Sequence, residues 1–219
     1  MRRSVLLMLF VALLFFASAQ TGFKVGAHYC VGGSTYYGVK TANAHQGTEL
    51  PVYSIKSSSG TGLNFLYVLK DRWGINLALS YQQRGAIFDK GIHTYDPRYR
   101  FEYLDICPGM SFQTKEIFKK SRLCFSAAGI YSILLNSQRV NNYEAYNLID
   151  DSEPNDFGVL ASVGLNISRL DVDIIQISIF GTTGFKNVFS GVLAENGQTG
   201  KNLLFGLQVG YMFGFGKKE

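Results

Sequence analysis

From residue 201 to 216 the chain reads KNLLFGLQVGYMFGFG, and its large apolar side chains keep to one parity. Leu203, Phe205, Leu207, Val209, Tyr211, Phe213 and Phe215 alternate with Asn202, Gly206, Gln208, Gly210, Gly214 and Gly216. Leu204 and Met212 are the large apolar intruders on the second parity. A strand turns successive side chains to opposite faces, so the pattern predicts one apolar wall and one small, polar wall. The same period predicts seven earlier strands, at 21–32, 60–69, 72–84, 99–113, 121–135, 156–168 and 170–184. The third is the cleanest: Trp73, Ile75, Leu77, Leu79 and Tyr81 alternate with Gly74, Asn76, Ala78, Ser80 and Gln82. The seventh is the least regular. Leu170, Val172 and Ile174 share a parity that Ile175, Ile177 and Ile179 break, which predicts a bulge.

Long and short connections alternate between these eight segments. The connections at 33–59, 85–98, 136–155 and 185–200 are long, whereas Lys70-Asp71, Thr114 to Lys120 and the chain around Arg169 are tight turns. In an up-and-down sheet, odd and even connections lie at opposite ends, so every long loop falls at one end. That asymmetry is the layout of outer-membrane barrels, with short periplasmic turns and long external loops.

The two walls then choose the solvent. A soluble barrel would turn the apolar parity inward and carry Lys, Glu and Thr outside. Here the second parity is mostly Gly, Ser, Ala, Asn and Gln, suited to a narrow filled interior, with Lys24, Asp105, Arg122, Asp171 and Asp173 as candidate internal ionic contacts. The predicted fold class is all-β: an eight-stranded antiparallel up-and-down transmembrane β-barrel, apolar face to lipid. Closure satisfies every backbone donor and acceptor, which is why strands cross a bilayer as closed barrels. Aromatics make up 14% of the chain, and Tyr29, Tyr67, Trp73, Tyr81, Tyr131 and Tyr211 are candidates for interfacial girdles.

Composition refines this picture at the N-terminus. MRRSVLLMLFVALLFFASAQ has two arginines, an apolar run from Val5 to Phe16 and a small-x-small site at Ala17-Ser18-Ala19. This predicts a signal peptide at 1–19 and a barrel domain at 20–219, exported to the cell outer membrane. The net charge of +5 is spread out, with KEIFKKSR at 115–122 the densest basic run; that reads as a solvated turn, and no nucleic-acid partner is expected. Cys30, Cys107 and Cys124 all fall in predicted strands. Cys107 and Cys124 share a parity on neighbouring strands, so either a cross-strand bond or a pair of small buried residues fits. His28, His45 and His93 stand apart from one another and from the thiols, so no metal site and no cofactor are expected.

Several short motifs, weak singly but ordered over residues 100–215, resemble the PorT-like outer-membrane β-barrel proteins. They are Tyr103-Leu104-Asp105-Ile106 with Pro108, Asp156-Phe157-Gly158 opening a strand that runs through Gly164, Gly184-Phe185-Lys186-Asn187-Val188, and Gly210-Tyr211-Met212-Phe213. Pro108 stands one residue later than the family pattern, with Cys107 in its place. The resemblance implies an eight-stranded Gram-negative barrel whose namesake is linked to protein secretion across the outer membrane. The closing aromatic run also resembles the C-terminal signal read by the barrel assembly machinery, although Lys217-Lys218-Glu219 follow Phe215. Expected partners are therefore outer-membrane lipid, the assembly machinery, and a secretion-system or surface protein whose identity the chain does not give.

Three functions compete. A non-enzymatic barrel would display the Tyr- and Asn-rich loops 33–59 and 136–155 or assist an outer-membrane assembly. A channel would need a wider barrel, since eight strands leave an interior just filled by side chains. A lipid-directed enzyme would need a nucleophile, base and acid on the outer rim, for which Ser57-Ser58-Ser59 and His93-Thr94-Tyr95-Asp96 offer the residue types but no enforced geometry. The expectation is the first: no enzyme, and no catalytic, cofactor-binding or metal-binding residues.

Overall fold

Period-two patterning does build a closed barrel. The computed structural model describes residues 22–40, 52–70, 72–89, 98–118, 120–140, 144–168, 174–191 and 199–215. The elements in order are β1 (Phe23–Lys40), β2 (Val52–Ser54), β3 (Lys56–Lys70), β4 (Trp73–Asp89), β5 (Arg98–Phe118), β6 (Ser121–Val140), β7 (Ala145–Asn147), a 3-10 turn (Ile149–Asp151), β8 (Asn155–Ser168), β9 (Ile174–Gly184) and β10 (Thr199–Phe215). Eight long strands pair antiparallel in chain order, and β1 meets β10 from Phe23 opposite Phe215 to Tyr37 opposite Lys201. No edge is left. The two short strands, β2 and β7, extend the loop end of this wall by pairing with β4 and β6.

The walls fall as the alternation predicts. Ile75, Met110, Leu207, Val209 and Phe213 are each about half exposed, while His28, Asn166, Ser178 and Asn202 on the other parity are buried. That is the reverse of a soluble barrel. Leu204 and Met212, the intruders in the last strand, are buried because they fill the lumen. At the β1–β10 seam the lumen is so narrow that glycine faces glycine. A Cβ on Gly206 would lie 2.2 Å from the Val31 carbonyl oxygen, and one on Gly32 would lie 1.9 Å from that of Phe205.

Two expectations need correction. The strands run further toward the loop end than the alternation suggests: β1 reaches Lys40, β4 Asp89 and β6 Val140, and the expected loops 33–59 and 136–155 also contain β2 and β7. Beyond the apolar band the outward face becomes polar, with Thr35, Ser57 and Gln83, so a strand there loses its greasy wall and reads as loop. The bulge expected in the seventh strand is absent from the described part, since β9 pairs with β8 from Gly184 to Ile174 without a shift. Ile174 instead turns inward onto Leu66 and Met212. Of the two readings open for Cys107 and Cys124, the structure shows small buried residues: Cys30, Cys107 and Cys124 are all free and buried. The leader, His45, His93, Leu170, Asp171, Val172 and Asp173 lie outside the described residues.

Candidate functional site: a filled lumen with a capped mouth

The interior is layered from the turn end to the loop end. At the turn end Leu66, Ile174 and Met212 form an apolar floor, with Val68 packed against it. Above them lies a chamber of about 80 Å³ whose lining includes His28, Asn76, Ser111, Gln113 and Asn166 and no charged side chain. His28 Nδ1, Asn76 Oδ1, Ser111 Oγ and Asn166 Oδ1 are buried there without a protein partner. Unpartnered buried polar atoms around a cavity of this size are the arrangement that internal water satisfies.

The next layers seal it from the mouth. Cys30, Phe180 and Leu204 form a small apolar cluster, and the Cys30 thiol donates to Gln82 Oε1 at 3.1 Å. Gln82 Nε2 in turn donates to Ser58 Oγ and to the Ser59 carbonyl, each at 3.1 Å. Past this level Arg84 forms a buried ion pair with Asp105, donates to Ser132 Oγ at 3.1 Å, and places its guanidinium 5.0 Å from the Tyr103 ring centre. Asn202 Nδ2 donates to Asp156 Oδ2 at 3.1 Å and to the Tyr103 hydroxyl at 3.4 Å. A buried charge persists only when paired and hydrogen-bonded; Arg84 and Asp105 are paired and bonded through Nη2 and Oδ2, while Arg84 Nε and Asp105 Oδ1 are left without a partner.

The mouth is closed by aromatic packing. Tyr36, Ala86, Tyr99, Phe101 and Tyr103 from three walls enclose Val188 and Phe189, which come from the chain after β9. The Phe189 ring meets Tyr36 and Tyr99 edge-on, both at 5.6 Å, a favoured aromatic geometry. Backbone bonds hold this stopper: Val188 N donates to Gly200 O at 2.8 Å, Glu153 N to Val188 O at 3.1 Å, and Ser190 N to Asp151 O at 2.8 Å. Asn187 adds a side-chain clasp, with Oδ1 accepting from Gly200 N at 2.8 Å and Nδ2 donating to Phe189 O at 2.9 Å. Ser152 and Ser137, 2.9 Å apart, tie the 3-10 turn to β6 beneath it.

The residues expected inside fare unevenly. Asp105 is fully internal, and its partner Arg84 was not foreseen, although it continues the parity of Ser80 and Gln82. Arg122, half-buried at the turn end, lies 3.6 Å from exposed Glu116, a contact at the rim. Lys24, on the inner parity of β1, is half-buried near the same end. Of the serines that offer a rim nucleophile, Ser58 is buried and donates to the Gln83 carbonyl, and Ser57 is exposed on the outer face. Tyr36, Tyr99 and Phe101 were missed because an aromatic on the inner parity carries no signal of which wall it joins.

Comparison with known proteins agrees with this architecture. OprG from Pseudomonas aeruginosa superposes with a TM-score of 0.55 at 12% identity, covering 89% of this chain and 97% of that one. Neisserial surface protein A gives a TM-score of 0.51 at 10% identity, covering 89% and 98% respectively. At these identities the likeness is one of fold. No curated protein matches the sequence. The family described as outer membrane protein beta-barrel domain matches residues 16–190, and the chain therefore belongs to that family of outer-membrane barrels.

Proposed function

We propose that this barrel is a non-enzymatic, PorT-like surface platform: it conducts no solute and presents its capped mouth to a protein partner in an outer-membrane assembly such as a secretion system. The supporting observation is the stopper. A mouth packed with Val188 and Phe189 and clasped by Asn187 is a poor conduit and a well-ordered surface. Around that cap Tyr146 and Ile149 are exposed, 48% and 42%, on β7 and the 3-10 turn. Tyr offers a large contact area at low entropic cost, which suits such a surface to protein recognition. Only ordered segments could do this without a large penalty on binding.

The test is photo-crosslinking from positions 146 and 149 in intact outer membranes, followed by identification of the captured neighbours. One recurrent protein partner, lost when Tyr146 and Ile149 are both replaced by Ser, is the expected result. Capture of lipid alone would remove the reading. The channel alternative predicts single-channel steps in planar bilayers, and the lipid-enzyme alternative predicts an altered lipid-A profile in a deletion strain; we expect background conductance and an unchanged profile.

A further inference from the structure

The β5–β6 hairpin runs past the neighbouring strand at the turn end. On its β4 side, β5 makes its last strand pair at Phe112, opposite Trp73, and its last bond there is Gln113 N to Arg72 O at 2.7 Å. β5 then continues to Phe118 opposed by β6 alone, with Glu116 facing Arg122 and Phe118 facing Ser121. Among the described residues, no strand pairs with the other edge of residues 114–118. Two register shifts between Gln113 and Phe118 break the in-and-out alternation, and Lys115, Glu116, Ile117 and Phe118 are all exposed. Phe118, at 72%, is the most exposed large hydrophobic residue of those described, and Ile117 beside it is 46% exposed.

Depth separates this pair from the lipid-facing residues. Trp73 and Phe112, with ring centres 4.9 Å apart, mark the lower aromatic girdle of this wall. Phe118 follows Phe112 by about 20 Å of extended chain, or roughly 15 Å in depth for a strand tilted near 40°. The headgroup zone adds only about 5–8 Å below the hydrocarbon, so Ile117 and Phe118 stand in the periplasm.

The tip is fastened. Thr114 Oγ1 accepts from Leu123 N at 3.1 Å and donates to Lys115 O at 2.8 Å. Lys120 O accepts from Ser168 N at 2.8 Å, and Lys120 turns the chain at φ 65°, the one positive φ among the described non-glycine residues. Arg72, Lys115 and Lys120 are exposed around the apolar pair, and the nearby acid Glu116 lies 3.6 Å from Arg122, so the surface is net positive. An ordered edge with backbone groups to spare is a template for another strand, and lipid offers it no backbone partner.

We propose that the periplasmic β5–β6 hairpin is a docking edge for an extended acidic segment of a periplasmic protein. The segment adds as a strand beside residues 114–118, covers Ile117 and Phe118 with its own apolar side chains, and sets carboxylates against Arg72, Lys115 and Lys120. This edge lies at the opposite end from the capped mouth and does not depend on a partner there.

The test uses the folded full-length barrel in phosphatidylcholine nanodiscs and a labelled peptide of alternating Glu and Val, about ten residues long, a length that spans the edge. Affinity is read by fluorescence anisotropy, and hydrogen exchange is read across residues 114–118. The Glu–Val peptide should bind at least about tenfold more tightly than a Lys–Val peptide and should slow exchange across that segment. The same peptide with its backbone nitrogens methylated should bind at least about tenfold less. I117S/F118S should weaken binding at least about tenfold, and R72Q/K115Q severalfold with a flatter salt dependence. R98Q, at the loop end, should bind as the parent does. Equal binding of the two peptides, equal binding by I117S/F118S, or unslowed exchange overturns the proposal. So does full competition by phosphatidylglycerol vesicles, which would assign the tip to a membrane surface. Should I117S/F118S fail to fold by heat-modified gel mobility, F118S alone takes its place, with a partial loss expected and no loss overturning the site.

Discussion

Arg84 on β4 and Asp105 on β5 are ion-paired in the middle of the lumen, with side chains only 3% and 6% exposed. Neither can find water, so each depends on the other, on Ser132 and on the Tyr103 ring. Removing one member leaves a buried charge without a counterion, a loss of about 3–5 kcal/mol. Asp105→Ala should therefore unfold at markedly lower urea concentration in detergent micelles. Arg84→Met with Asp105→Leu should recover most of the stability, because well-packed apolar replacements of a buried pair are often neutral or better. A single variant as stable as the parent would show that the layer is wet.

The lipid face carries its own test. Leu77 lies opposite Phe65 and Pro108, and Leu207 opposite Val31 and Ile179, so both sit among other outward apolar residues. Leu77→Arg and Leu207→Arg should each impair insertion by roughly 2–4 kcal/mol for a midplane site. Membrane yield against the parent measures it; normal yield of both would reverse the assignment of the walls.

Phe189 tests the stopper. Truncation to Ala opens a void between Tyr36, Tyr99 and Phe101, a change that costs about 3–5 kcal/mol in a closed core. Because the segment is held to Gly200 and Glu153 by few bonds, the loss should appear locally. Limited proteolysis between Gly184 and Gly200 should accelerate severalfold while the strands stay protected. Unchanged cleavage would mean that the clasp of Asn187, and not the ring, holds the cap.

The seam can be tested with one methyl-bearing residue. Gly206 faces Gly32, and any Cβ there collides with backbone, which a rotamer change cannot relieve. Gly206→Val should yield little heat-modifiable folded barrel, whereas Gly181→Ala, where a Cβ has space, should fold normally. Equal folding of the two would show that the strands part easily at the seam.

How much of this was legible in the chain depends on where a residue sits. Within the bilayer the outside is uniformly greasy, so Trp73 to Tyr81 and Leu203 to Phe215 declare both strand and face by parity alone. Beyond it, Thr35, Ser57 and Gln83 face water and the same strands lose their signature, although their hydrogen-bonded ladders continue. Arg84 could have been found, because the parity of Asn76, Ser80 and Gln82 leads straight to it. Val188 and Phe189 could not. They belong to a connection, and only the folded barrel reveals that the connection turns back into its own mouth.

The origin of the stopper's contacts sets an order of events. Val188 and Phe189 rest on side chains from β1, β4 and β5, and their backbone is bonded to Gly200 at the start of the last strand. No partial ribbon lacking either terminus can supply that nest. The cap is therefore a certificate of finished manufacture, present on sealed molecules and absent from those still being threaded into the bilayer.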